Sequence, residues 1–495
     1  MRSPTEPLAK EPFSLEPVII SLPVLLTTFL WLRSPIPILP LQGFCGFLLL
    51  AFPCWSFVKW RRAPRERLPL FAMISFMYWL YFAFPLFWGA RTISTLWALE
   101  EIMPDEAITK SMVMAVLGDA CLWLGMNSRI GRRLVLRAKP DIPADSSRWL
   151  YLRIMIVLGT LVCWNEASAR VLGEGGRQIV LIFQSFIPMV AFAVLFRNYL
   201  FGYATRLDKV LIVTFLIARL IVGLSSGWLG EMAFVIVSCA AIYIGERKRV
   251  PRFAVALAII YMLFFQVGKP AFREMYWDGE AQASRIERLA FWVKESKAEW
   301  GSALSGEAAG KTTEDLVHSS LSRISLLTET AHVINLTPAI VPYQHGRLYS
   351  YLAAMLIPRF LWPDKPTIVE ANQFFQVAYG FTPEEQLGSV SLSIGISAEA
   401  YINWGWIGVV FIMIILGVLL DFFQSTFLSE TSGLLFRALG VALLPGFLTI
   451  ESQFALYLGG VIQKTFYALL MLLPIIHLDR RAQTKLIGSP MLQEG

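Results

Sequence analysis

The chain carries little charge for its length. Only 16% of its 495 residues are Asp, Glu, Lys or Arg, whereas a soluble domain carries about 25%. Such scarcity argues against a string of water-soluble domains. Cysteine is sparse too: Cys45, Cys54, Cys121, Cys163 and Cys239 all stand in or beside apolar runs, with no CxxC among them. Neither a disulfide framework nor a zinc site is expected from that pattern. The histidines, His318, His332, His345 and His477, share no metal-ligand spacing. Internal repeats and low-complexity tracts are missing as well.

What is present is apolar. Hydrophobic residues make up 56% of the chain and the mean hydropathy is +0.57. Several runs approach the roughly 20 residues that cross a bilayer. Nine spans are expected before residue 269, at about 17–33, 37–58, 68–88, 108–128, 149–165, 178–196, 210–227, 231–245 and 253–268. Three more follow at about 400–421, 435–450 and 457–477. The fold class is thus an all-α polytopic integral membrane protein with about twelve transmembrane helices. It divides into a bundle over 1–268, a long polar stretch over 269–398, and the last three spans with their tail over 399–495. The first span contains Pro23 and lacks a small-residue cleavage site, so it reads as an anchor rather than a signal peptide.

The net charge of +7 could suggest nucleic acid, but its distribution excludes that partner. Positive residues gather in short breaks between apolar runs: KWRRAPRER (59–67), RIGRRLVLRAKPD (129–141) and ERKRVPR (246–252), then Arg480, Arg481 and Lys485 in the tail. Alternate breaks are basic, which by the positive-inside rule places both termini in the cytoplasm and the 269–398 stretch outside. Within that stretch, IERLAFWVKESKAEW (286–300) sets Ile286, Leu289, Val293 and Trp300 on one helical face. Such a helix suits either the bilayer surface or the side of the bundle. Further helices are expected over 315–335 and 348–357, ended by Pro358 and a proline-braced turn at 362–366.

Ionisable groups inside apolar spans are costly and mark candidate sites. Arg219 lies about ten residues into the seventh span; Asp119 in the fourth is its competing, purely structural partner. Arg170 and Arg177 read as loop charges. Arg347, Arg359 and Lys365 sit among aromatics where the chain re-enters the membrane, and suit the oxygens of a phosphate-bearing lipid. Ion pairs with Asp364 and Glu370 are the competing assignment. Glu399, at the mouth of the tenth span, is a candidate general base, because a carboxyl shielded from water binds its proton more tightly. An interfacial ion pair with an arginine is its competing assignment. His345 is a weaker base candidate. Tyr401, Asn403 and Trp404 could line a sugar path by hydrogen bonding and stacking, or simply pack a helix.

The runs IPRFLWPDKP (357–366) and AEAYINWGWIGVVF (398–411) resemble the Wzy-type O-antigen and exopolysaccharide repeat-unit polymerases. The motif-level resemblance covers about 345–410 and rests elsewhere on topology. It implies a GT-C-like bundle in the inner membrane that transfers a glycan from one undecaprenyl-diphosphate carrier to another lipid-linked repeat unit at the periplasmic face. No nucleotide sugar, cofactor or metal is implied, and a chain-length regulator is an expected partner. On this view Glu399, Arg359 and Arg219 carry the chemistry, while Arg347, Lys365, His345, Tyr401, Asn403 and Trp404 bind substrate. O-antigen ligases show a His followed by Asn, Ser or Gln, and His345-Gly346 departs from that pattern. A transporter or flippase of lipid-linked oligosaccharide shares the twelve-span plan. A membrane acyltransferase lacks support from any His-centred motif.

Overall fold

The computed structural model describes residues 16–62, 67–135, 146–164, 180, 186–278, 283–305, 325–356, 362, 369–387 and 392–475. Apolar runs become helices because, away from water, a helix satisfies its backbone groups internally. The first of these are α1 (Glu16–Arg33), α2 (Pro40–Arg62), α3 (Leu70–Phe87) and α4 (Asp105–Asn127). Next come α5 (Ser146–Trp164), α6 (Ile187–Leu200), α7 (Arg206–Ser225), α8 (Leu229–Arg247) and α9 (Arg252–Val267). The polar stretch contributes α10 (Arg285–Ser305), α11 (Leu327–Leu336), α12 (Ser350–Leu356) and α13 (Glu370–Ala378). The chain closes with α14 (Gly395–Phe427), α15 (Leu434–Leu448) and α16 (Phe454–Leu472). One small exception to helix stands out: β1 (Thr92–Ile93) pairs antiparallel with β2 (Glu101–Ile102) between α3 and α4.

Among the described residues, seven helices are long and apolar enough to cross a membrane: α1–α4, α8, α14 and α16. The protein is membrane-embedded. The other expected crossings are less regular. α9 and the following Lys269–Trp277 are bent by 59° and pass the test only together. α5, α6 and α15 are apolar but shorter. α7 carries Arg206, Asp208, Lys209 and Arg219 within its length. Among the described residues, seven helices, or eight with the bent pair, thus have the length and composition of a span, and the count of twelve is not confirmed.

The bundle is centred on α14, which packs along α4. Their approach is close because Gly125 faces Gly417: a Cβ on Gly125 would come within 2.9 Å of the Gly417 Cα and 2.2 Å of the Ile414 carbonyl oxygen. Small residues let helix backbones touch in this way where lipid offers no hydrophobic drive to associate. α14 is itself broken. Trp404 (φ −144°, ψ 21°) and Gly405 (φ 62°, ψ −149°) leave helical geometry, a conformation that glycine adopts without strain.

The helix expected over 286–300 forms, but its buried stripe is rotated from the expected one. Ile286 is 65% exposed, and Trp292, not part of the expected face, is fully buried against Phe265 and Phe272. Its indole N–H donates to the Phe265 carbonyl at 2.9 Å. α10 thus packs on α7 and α9 as part of the bundle. The helix expected over 315–335 is described as α11, which packs on α4 with the Ser111 hydroxyl donating to the Leu327 carbonyl at 3.0 Å. The residues before 325 in that span, like the Pro358 break and the turn at 363–366, lie outside the described residues. Helix α13 had no counterpart in the sequence reading.

Candidate functional site

Where α14 breaks, the helix loses backbone hydrogen bonds that something else must satisfy. The segment 344–346 does so. The Gln344 N–H donates to the Ile402 carbonyl and the His345 N–H to the Asn403 carbonyl, each at 3.0 Å. The Gly346 N–H donates to Asn403 Oδ1 at 2.9 Å, while Asn403 Nδ2 donates to the Glu399 carbonyl at 2.9 Å. Asn403 therefore bridges the incoming strand to the turn of helix that carries Glu399. His345 (φ 47°) and Gly346 (φ 90°) both take left-handed backbone to make this fit. A Cβ on Gly346 would strike the Trp404 ring at 2.6 Å.

The same turn brings Tyr349 flat against Trp404, with centroids 5.3 Å apart and planes 10° from parallel. Tyr349 also meets the Phe454 ring edge-on. Beneath this pair lies Glu399, fully buried. One carboxylate oxygen accepts the Phe454 N–H, at the first turn of α16, at 2.7 Å. The other oxygen has no hydrogen-bond partner, and neither has the buried Tyr349 hydroxyl. Burial, with the Glu399 charge adding to it, holds the Tyr349 phenol well above its ordinary pKa, so it remains a proton donor. The N-terminal end of a helix favours a negative charge there. The geometry accordingly offers a carboxylate anchored on one side and unpartnered on the other, next to an aromatic platform and a spare hydroxyl.

Other candidates take separate places. Tyr401 is buried, with its ring against Tyr343 and Trp406. His345 and Arg347 are exposed on the docked turn. Arg359 and Lys365 lie outside the described residues, as do Arg170 and Arg177. Arg219 does not pair with Asp119, the competing partner. Its guanidinium is buried, bonds the Glu231 carboxylate, and reaches Cys163 Sγ at 3.4 Å. Asp119 instead accepts from the Ser75 hydroxyl. The reason is connectivity: α7 and α8 are neighbours joined by a short turn, so residues 219 and 231 meet as the helices fold back on each other.

Residues beyond the expected set complete the picture. Arg285, the first residue of α10, donates to the Ser225 hydroxyl at 3.3 Å and the Cys163 carbonyl at 3.4 Å, beside Arg219. Lys464 on α16 feels the Glu231 charge. Arg219 and Lys464 thus share the Glu231 carboxylate, with Arg285 close to Arg219. Lys464 lies ten residues from Phe454 on α16, about 15 Å along the axis. Glu451, just before α16, is buried enough to raise its pKa, partly offset by a hydrogen bond with Tyr81 and the charge of Lys269. Glu231, Glu451 and Lys464 each gave the sequence signal that singled out Glu399, a charge in or at the edge of an apolar run. The remaining cue, which charges meet, was not in the sequence.

A family model described as a domain of unknown function (DUF8712) matches residues 82–451. No curated protein and no solved structure matches the chain.

Proposed function

We propose that this chain, which belongs to the DUF8712 family, is a glycosyltransferase that polymerises lipid-linked oligosaccharide repeat units. The observation that carries the reading is Glu399, a fully buried carboxylate with one oxygen fixed by the Phe454 N–H and the other without a partner. Burying a carboxylate without a cation is costly, and such groups are retained where they do chemistry. Here the unpartnered oxygen takes the proton of an acceptor sugar hydroxyl. The sugar oxygen then attacks the anomeric carbon of the donor glycan, and the carbon–oxygen bond to undecaprenyl diphosphate breaks with its electron pair leaving on the diphosphate. Trp404 and Tyr349 offer the stacking surface for a sugar ring.

The departing diphosphate needs positive charge around it. Arg347 on the docked turn and Arg359 beyond it are proposed to supply this, Lys365 with them. Arg219, Arg285 and Lys464 are proposed as a second cradle. Arg219 already spends one arm on Glu231, so its role is shared rather than sole. The chain would sit in the inner membrane with both termini cytoplasmic, the 269–398 stretch outside, and a chain-length regulator beside it. A cysteine at Ser302, exposed on α10, tests that orientation: an impermeant thiol reagent should label it in outer-membrane-permeabilised cells, and labelling only after lysis would reverse the topology.

The decisive experiment compares glycan ladders with and without the protein. Single repeat units accumulating on the lipid core support a polymerase, whereas loss of all surface glycan points to a flippase or a ligase. One observation favours the flippase reading: α14 is a broken helix, and transporters build sites at such breaks. The break lies about ten residues from the start of α14, nearer a membrane boundary than the midplane, which suits surface chemistry better.

A further inference from the structure

Opposite the Glu399 site, two cavities adjoin. The first, about 530 Å³, is a groove between α2 and α4 lined by apolar side chains, including Phe52, Ala120 and Leu124. The second, about 200 Å³, lies at the ends of α2 and α4 and beside the later part of α14. Trp55, Phe71 and Trp123 line both, so one continuous space runs from an apolar slot into a polar pocket. Lys59, Arg129 and Arg132 line the polar part against one carboxylate, Asp421. Arg132 binds Asp421 through its backbone N–H at 3.0 Å and its Nε at 2.9 Å. Lys59 sits over the Trp55 ring at 5.2 Å. Among the described lining residues, three cations stand against one anion.

The placement fixes what such a space would hold. Asp421 lies beyond the break of α14 at Trp404–Gly405, and the unbroken run from Trp406 to Asp421 alone spans about 23 Å at the helical rise, most of a bilayer's hydrocarbon core. The pocket therefore opens at the opposite membrane boundary, and the groove runs inward at acyl-chain depth. Trp55 and Leu124 are half exposed along it, facing lipid. A free phosphate would use the basic pocket and leave the groove empty. A neutral lipid would use the groove and leave the cations unmatched. We propose that this space is a binding site for an anionic membrane phospholipid, its phosphate in the pocket of Lys59 and Arg129 and one acyl chain in the groove beneath Trp55. The assignment stands apart from the glycosyl-transfer reading, and no residue of that site takes part in it.

The test uses the purified full-length chain in detergent, with phosphatidylglycerol or phosphatidylcholine added in equal amounts. Thermal stabilisation and native mass spectrometry read the binding. Phosphatidylglycerol should bind at least tenfold more tightly. The double variant Lys59→Gln/Arg129→Gln, on exposed side chains outside the core, should bring the two lipids to within about twofold of one another. Ala120→Phe, which fills the groove, should lower retention of both lipids while leaving the unliganded melting temperature close to that of the wild type. Equal binding of the two lipids by the wild type would overturn the proposal, as would an undiminished preference in the double variant. Competition by inorganic phosphate alone at millimolar concentration would also overturn it, in favour of a free anion.

Discussion

Two regions of the bundle treat buried acids in opposite ways. At the basic end, the acids have cationic partners. Arg67 bonds Glu246 at 2.7 Å and Glu430 at 3.2 Å, Arg197 joins Glu246 at 2.9 Å, and Lys248 joins Glu430 at 2.8 Å. Asp421 is buried but answered by Arg132. At the other end, Glu399 is buried with a backbone N–H for company and an oxygen to spare. A paired network tethers loops and helix ends; a lone carboxylate kept out of water does nothing for stability that an apolar residue would not do better. The contrast teaches where to look for chemistry: at a charge whose burial is left without a cation, as Asp119 is on α4 and as Glu399 is beneath the aromatic pair.

The largest effect should come from Glu399. Glu399→Gln keeps the shape and the bond from the Phe454 N–H but cannot take a proton, so glycan polymerisation should fall by roughly 10²–10⁴-fold at unchanged membrane levels. Ladders of wild-type length in that variant would erase the distinction between the two regions. Arg219→Ala comes next. It leaves the partly exposed Glu231 facing apolar helices without its bonded partner, and should cost about 2 kcal/mol by denaturant titration, less than for a fully buried pair. The double variant Arg219→Ala/Glu231→Ala should recover much of that stability. If polymer is still lost in the stable double variant, the arginine serves the diphosphate as well as the fold.

A pH dependence sharpens the comparison further. Glu329 on α11 has its pKa pushed up to about 7 by burial, with the Thr328 hydroxyl bond partly offsetting. The folded protein therefore holds this proton more tightly than the unfolded chain. Its contribution is complete below the ordinary value of 4.5 and is lost as pH rises through about 7. Melting temperature should fall across that window in the wild type and fall less in Glu329→Gln. Equal slopes would show that this carboxyl is wetter than its position implies. The smallest effect belongs to the basic end. Glu430 is 44% exposed at its side chain, so Glu430→Gln should shift stability by no more than about 1 kcal/mol and leave the glycan ladder unchanged.

Much of the fold was legible in the chain itself. Apolar runs gave helices close to their expected bounds, as at α2, α4, α14 and α16, because a segment with no water around it has one way to satisfy its backbone. The remaining expected crossings form helices of a less regular kind, bent at Gly268 or carrying several charges as in α7. The amphipathic helix at 285–305 was legible in its extent but not in its facing, since Ile286 and Trp292 compete as anchors and only the partner surface of Phe265 and Phe272 chose between them.

Sequence alone also determined which charges deserve interest: Arg219 and Glu399 stand out in apolar surroundings whatever the fold. What each one meets was decided by tertiary structure. Arg219 turned to Glu231, twelve residues on, rather than Asp119, a hundred residues back, because the α7–α8 turn brings the first pair together. Glu399 found its hydrogen bond 55 positions away at Phe454, and its aromatic roof at Tyr349. Periodicity reports how one helix divides its faces. It says nothing of which other helix those faces will touch, and a buried charge takes its character from that neighbour.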